Sequence, residues 1–396
     1  MHFSVRALFL FVFCYTVFFE VRASENDRDI FIHSIYVVGD SISSRSQLDQ
    51  TRFDWFDIMY VMASPMWEAS DFDKPETDVV QKMVRNHSYS EGDFGCSLVP
   101  ELIARAHFDG TKVLLSILGD EEYNLVAEDP ERRRKFARVI SSFVAKYNFD
   151  GVDVDWEHTL DLELHIALLT DLRAALDELG KPTVLRNYFL TTAIHSWRKY
   201  TCEQASRLCG VIDWVNVMTY DMGGGIWGKT PSHNAPLDKI KKDLKNWRMF
   251  PSNKICIGLA NYGFYYRGIL PGEMSDVPLG EKNGRYFDYT ELTSLVSNGW
   301  TESYDFCAEA PYYYSPDKTE FVTIDNSHSL QLKLEWALQC DYRGVFWWEF
   351  QSDYFPAEAG FDFARHPLID PIAERIHADR SIWERSSDSN SSNTER

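Results

Sequence analysis

Eight short apolar runs, each followed by a stretch of helical periodicity, constrain this chain more than any other feature of it. They are IFIHSIYVV (30–38), FDIMYVMA (56–63), KVLLSIL (112–118), GVDVDWE (151–157), YFLTTAIH (188–195), WVNVMTYD (214–221), KICIGLAN (254–261) and GVFWWEF (344–350). Between them lie helix-like segments such as ERRRKFARVISSFVAKYN and LELHIALLTDLRAALDELG, the second stopped at Gly180 ahead of Pro182. Parallel strands need crossover connections, and eight strand–helix repeats satisfy them by closing on themselves. The expected fold class is therefore α/β, a (β/α)8 TIM barrel spanning residues 24–383. A length of 396 residues agrees with one such unit, because these barrels outgrow the usual domain size. The seventh gap, 264–343, is roughly twice as long as a loop and one helix require. Its excess, about 264–325, is rich in Tyr, Gly and Pro and reads as a small α+β insertion between strands 7 and 8.

The first 23 residues read as a secretory signal: Arg6, an apolar run Ala7–Phe19, then Val21-Arg22-Ala23. A membrane anchor needs about 20 apolar residues, and Glu20 and Arg22 interrupt this run. The expected destination is secreted, with the lysosome as the alternative. Residues 384–396 are polar and low in complexity and are expected to be a disordered tail. Six cysteines follow the signal, an even number compatible with disulfides, and Cys202 and Cys209 are spaced to close a short loop. Cys256 sits in an apolar run and reads as a buried thiol. Asn86-His87-Ser88 is a glycosylation acceptor, at Asn86. No Cys/His spacing matches a metal site, and no cofactor is expected. The formal charge is −20, and removing Arg6, Arg22 and Glu20 leaves about −21. Such a surface repels phosphate backbones and anionic membranes, so neither nucleic acid nor a membrane is expected as a partner. The chain is expected to act as a monomer on a neutral substrate.

FDGVDVDWEH (149–158) carries four carboxylates, Asp150, Asp153, Asp155 and Glu157, in what should be a core strand. Side chains alternate along a strand, so Asp153, Asp155 and Glu157 share one face and Val152, Val154 and Trp156 the other. In a barrel the apolar set meets the helices and the acidic set points inward. Carboxylates crowded at low dielectric share protons, which raises at least one pKa. Glu157 is nearest the C-terminal end of the strand, where barrel enzymes carry their chemistry, and is placed to act as a general acid. Two other readings compete: an edge strand whose acids meet water or Lys and Arg, and a divalent-metal site of oxygen ligands.

The stretch resembles the Asp-x-x-Asp-x-Asp-x-Glu signature of glycoside hydrolase family 18, the chitinases and chitinase-like proteins, with every acid present and Asp150 in support. VNVMTYDMGG resembles the family's sixth-strand Met-x-Tyr-Asp, at Met218, Tyr220 and Asp221. HNAPLD (233–238) and KICIGLANYG are similar to the segments that follow, EAPYYY to the end of the family's inserted subdomain, and GVFWWE to its eighth strand, with the barrel-floor tryptophan at Trp348. The resemblance implies hydrolysis of β-1,4-linked N-acetylglucosamine by substrate-assisted retention. Glu157 would protonate the glycosidic oxygen and the substrate's 2-acetamido carbonyl would be the nucleophile. Asp155 would hold the acetamido N–H and share a proton with Asp153, and Tyr220 would bond the acetamido oxygen. Asp221, Met218 and Trp348 would bind the distorted sugar.

Several positions depart from the pattern. SILGD (116–120) stands where the family has Ser-x-Gly-Gly-Trp, His158-Thr159 replaces Tyr-Pro, and the first strand lacks the family's aromatics. These changes imply reduced sugar-stacking surface. Two alternatives therefore stand beside the chitinase reading: a chitinase-like lectin that binds chito-oligosaccharides without cutting them, and an endo-β-N-acetylglucosaminidase or chitobiase acting on N-glycans.

Overall fold

The structure, a computed structural model, describes residues 30–39, 42–62, 67–85, 92–180 and 188–391, with the backbone alone from 381. The expected signal segment, Asn86 and residues 392–396 lie outside them.

All eight runs form strands of one closed parallel barrel: β1 (Ile32–Val38), β2 (Ile58–Met62), β3 (Lys112–Gly119), β4 (Gly151–Trp156), β5 (Phe189–His195), β6 (Trp214–Met218), β7 (Ile255–Ala260) and β13 (Gly344–Trp348). β13 pairs with both β7 and β1 and closes the ring. The helices form where the sequence stops competing with them. Helix Pro130–Lys146 starts with Asp129 accepting from the Glu131 and Arg132 amides and Pro130 in its first turn. It buries Phe136, Ile140, Phe143 and Val144. Each such side chain stabilises the fold by about 1.5–3 kcal/mol. Helix Leu162–Gly180 follows β4 and ends at the expected glycine. At Gly151 a Cβ would lie 2.1 Å from the Phe189 carbonyl oxygen, so only glycine lets β4 and β5 approach there.

The insertion is an antiparallel sheet of β8 (Tyr262–Arg267), β9 (Gly284–Asp288), β10 (Thr301–Asp305), β11 (Ala310–Tyr314) and β12 (Glu320–Thr323), ordered β10-β11-β12-β8-β9. Helix Tyr289–Ser297 joins β9 to β10. A core of its own contains Phe287, Leu292, Trp300, Tyr313 and Val322. It begins at Tyr262, with only Asn261 between it and β7. Asn261 fixes that junction by accepting from the Glu349 amide at 2.8 Å and donating to Asp353 at 2.9 Å.

Three expectations need correction. Cys202 and Cys209 are the first and last residues of one helix, and all six described cysteines are free. Seven residues of helical rise separate that pair by about 10 Å, beyond the reach of a disulfide. The first strand does supply an aromatic to the barrel interior, Tyr36. Finally, helix Ile369–Ser391 runs through residues 384–391 of the stretch expected as a tail, although the Ser, Asp and Asn there are weak helix formers. Cys256 is buried, as expected. Among the described residues no helix is long and apolar enough to cross a membrane.

Candidate active site

β4 is buried along its whole length and sorts its residues as the period of two requires. Val152, Val154 and Trp156 are completely covered on the helix side. Asp153 and Asp155 are buried inside the barrel, and Glu157 emerges at its C-terminal mouth with its side chain 23% exposed.

Asp153 is held by its barrel neighbours. Ser116 of β3 and Thr191 of β5, both in register with it, donate at 2.8 and 2.6 Å, and Tyr36 of β1 donates at 2.9 Å. Behind Tyr36 stands a directional chain in which every donor points toward this carboxylate. The Trp214 indole donates to the Tyr60 hydroxyl (2.8 Å), Tyr60 to Asn216 (3.3 Å), and Asn216 to Tyr36 (2.9 Å). Such networks strengthen at low dielectric when every member is satisfied. Burial raises the Asp153 pKa, and the bonds from Thr191, Ser116 and Tyr36 oppose it.

Asp155 has the opposite surroundings. Its Oδ1 is buried with no hydrogen-bond partner among the described residues. Burial pushes its pKa well above the ordinary range, and the charges of Glu157 and Asp153 add to that. Of the two inward aspartates, Asp155 is therefore the better place for a shared proton.

Asp150 lies at the other end of the strand, where it accepts from the Val113 amide at 2.9 Å and lies 2.6 Å from His107 Nε2. The motif's first acid is thus brought to a strand junction and not to the cleft.

Above the acids opens a cleft of about 1160 Å³ lined by Glu157, Met218, Tyr220, Asp221 and Trp348. All three residues singled out from the sequence as substrate-binding, Asp221, Met218 and Trp348, line this cleft. Met218 and Trp348 end β6 and β13. Tyr220 is buried between Tyr262 and Phe346, each ring centroid 6.0 Å away. Asp221 has φ 54°, a left-handed conformation that Asp tolerates better than most residues. Asn234, in the HNAPLD segment, accepts from the Asp221 amide at 2.7 Å and donates to the Tyr262 carbonyl at 2.9 Å. The Tyr262 hydroxyl donates to Asp221 at 2.8 Å. Burial still pushes the Asp221 carboxyl up to about 6, against that bond and the nearby His195.

Other residues of the site escaped the sequence reading. His195, the last residue of β5, places Nε2 3.4 Å from Glu157 Oε2. Its ring stacks on Trp197 at 5.5 Å and 19°. Arg198 lies 4.4 Å over the same indole and donates to the Glu157 carbonyl oxygen at 2.9 Å, fixing the turn after β4. The departures at SILGD and His158-Thr159 prove to be one feature. Asp120 accepts from the His158 and Thr159 amides at 2.8 and 3.1 Å and lies 3.1 Å from His158 Nδ1. Stacking surface is present elsewhere in the cleft: Trp197, Trp227 and Tyr286 line it, each about half-exposed. The run IHSWRKY (194–200) was the available signal, since a Trp and an Arg follow a strand end on the barrel's C-terminal face.

Comparison with known proteins gives a consistent result. The family model for glycosyl hydrolases family 18 matches residues 69–353. Chitinase A1 of Niallia circulans is 26% identical over 285 residues, covering 61% of this chain and 40% of that protein. Probable chitinase 2 of Drosophila melanogaster is 28% identical over 280 residues, covering 62% and 56%. The chain spans about half the length of these curated relatives. Among solved structures, a Cycas revoluta family 18 chitinase in complex with (GlcNAc)3 superposes with a TM-score of 0.68 at 20% identity, covering 88% of this chain and 99% of that one. A chitinase described as immunomodulatory, from Trichuris suis, gives 0.66 at 21% identity, covering 87% and 99%.

Proposed function

Because this chain belongs to glycosyl hydrolases family 18, we propose that it is a secreted retaining glycosidase that hydrolyses β-1,4-linked N-acetylglucosamine in chitin or chito-oligosaccharides. One observation carries the reading: a buried, partnerless Asp155 Oδ1 belongs to the same face of β4 as Glu157, two residues before it, and Glu157 lines an aromatic cleft.

The steps follow from the surroundings of each group. Glu157 gives its proton to the glycosidic oxygen, so the leaving sugar departs as an alcohol. The substrate's own 2-acetamido carbonyl oxygen closes on the anomeric carbon, and water later opens the resulting oxazolinium ion with Glu157 as base. A buried acceptor without a partner is costly, and Asp155 Oδ1 recovers that cost by taking the acetamido N–H. The positive ring that forms is stabilised by a carboxylate, and the proton on Asp155 moves to Asp153, whose three donors reorient to suit. Tyr220 bonds the acetamido oxygen, and Asp221, Met218 and Trp348 hold the distorted sugar. Positioning of this kind lowers the entropic barrier. The relatives named chitinase and the (GlcNAc)3 bound in the Cycas structure support the choice of substrate.

The test is hydrolysis of chromogenic chito-oligosaccharides and of a high-mannose glycopeptide by wild type and Glu157→Gln. Wild type should cleave the chito-oligosaccharides, and the variant should lose at least about 10²-fold in kcat. A wild type that binds chito-oligosaccharide without cleaving either substrate sinks the proposal and leaves a lectin. Cleavage of the glycopeptide alone moves the substrate to N-glycans.

A further inference from the structure

We propose that Glu157, His158 and His195 together bind one divalent transition-metal ion of the zinc type, and that this ion switches the acid off. One ligand atom from each of the three lies within 4.8 Å of the other two. Glu157 Oε2 and His195 Nε2 are already 3.4 Å apart, close to the separation of two ligands on one tetrahedral ion. Closing the third contact needs a small movement of His158, whose side chain is 72% exposed and can swing. Two imidazole nitrogens and one carboxylate oxygen match zinc's preference, whereas magnesium and calcium favour oxygen alone.

Each imidazole is also oriented from behind. The Asp120 carboxylate lies 3.1 Å from His158 Nδ1, an arrangement in which a carboxylate commonly aims a metal-bound histidine. Trp197 stacks on His195 and keeps its ring plane facing Glu157. An ion pair of Glu157 with His195 alone would leave the second histidine unused. The site opens into the cleft, which leaves a fourth position for water.

The functional consequence is exclusive. A carboxylate that ligates zinc carries no proton, so Glu157 cannot hold the ion and be the general acid at once. Inhibition therefore rests on the proposed glycosidase reading, whereas binding does not.

The experiment is calorimetric titration of EDTA-treated, buffer-exchanged full chain with ZnCl2, repeated by visible absorption with Co2+. We expect one ion per chain, with affinity weakened at least 10-fold in His158→Ala and in His195→Ala and unchanged in His233→Ala, which removes a histidine outside the group. Circular dichroism verifies folding, and His158→Gln provides a second variant of similar size. No saturable binding, or equal affinity in all variants, overturns the site. In the activity arm, zinc should suppress chito-oligosaccharide hydrolysis and EDTA should restore it. A zinc-bound wild type that stays fully active overturns the switch. A wild type inactive even in EDTA refutes the glycosidase reading instead, and the binding isotherms still decide the metal site.

Discussion

Replacing Asp120 by Ala tests whether the unusual third-strand ending is a working part of the site. The carboxylate takes the backbone amides of His158 and Thr159, and the Thr159 hydroxyl lies 3.4 Å from it. Hydrogen bonds to a charged acceptor contribute about 1.5–3 kcal/mol each when shielded. The side chain is 40% exposed, so water replaces part of what the two amides lose, and we expect a total of about 2 kcal/mol. Burial works to raise the Asp120 pKa, but the bonds from Thr159 and His158 outweigh it and hold the carboxyl below its ordinary value of 3.8. A depressed pKa contributes stability that is present above the ordinary value and lost as pH falls through the folded one. Urea unfolding at pH 7 should therefore separate wild type from Asp120→Ala by about 2 kcal/mol, and the gap should shrink toward pH 3. The turn it releases directly follows Glu157, so kcat/KM on chito-oligosaccharides should fall by about 10-fold. A variant within about 0.5 kcal/mol of wild type at pH 7, or a gap constant from pH 7 to 3, would refute this account of the SILGD departure.

Three more outcomes follow from the same geometry. Thr191→Val keeps the shape beside Asp153 but removes its 2.6 Å donor, and should cost about 1.5–3 kcal/mol in urea unfolding, a loss that Asp153→Asn in the same chain should reduce. Asp221, raised by burial to about 6, contributes stability that is full below about 3.8 and is lost as pH climbs through 6, an effect of about 3 kcal/mol. Asp221→Asn should flatten that part of the stability–pH curve, and parallel curves would count against it. Lys333, completely buried, pairs with Asp325, which also accepts from Ser329 at 2.6 Å. Lys333→Met should cost about 3–5 kcal/mol by stranding the carboxylate, and Lys333→Met with Asp325→Asn should recover most of it, read from thermal or urea denaturation.

The barrel was legible because each of its strands is a short apolar run whose neighbours in sequence are also its neighbours in space. The insertion was legible as excess length. Asp153, Asp155 and Glu157 could be placed because alternation along one strand is a local property. The rest of the site depends on contacts that no local pattern carries. Asp120 meets His158 across 38 positions, Trp214 reaches Asp153 only through three intermediate side chains, and His195 meets Glu157 from the adjoining strand. The cysteine pairing failed for a different reason: spacing in sequence is a distance only once the intervening backbone is known, and here it is a helix.

Asp150 shows how far from the chemistry a motif residue can govern it. By taking the Val113 amide it pegs the start of β4 against β3. A strand that slipped by one residue would turn every side chain to the opposite face. Asp153 and Asp155 would then be driven into the helix layer, and Val152 and Val154 into the barrel. The motif's outlying acid is thus its alignment pin, and losing it should misaddress the other three before it changes any reaction they perform.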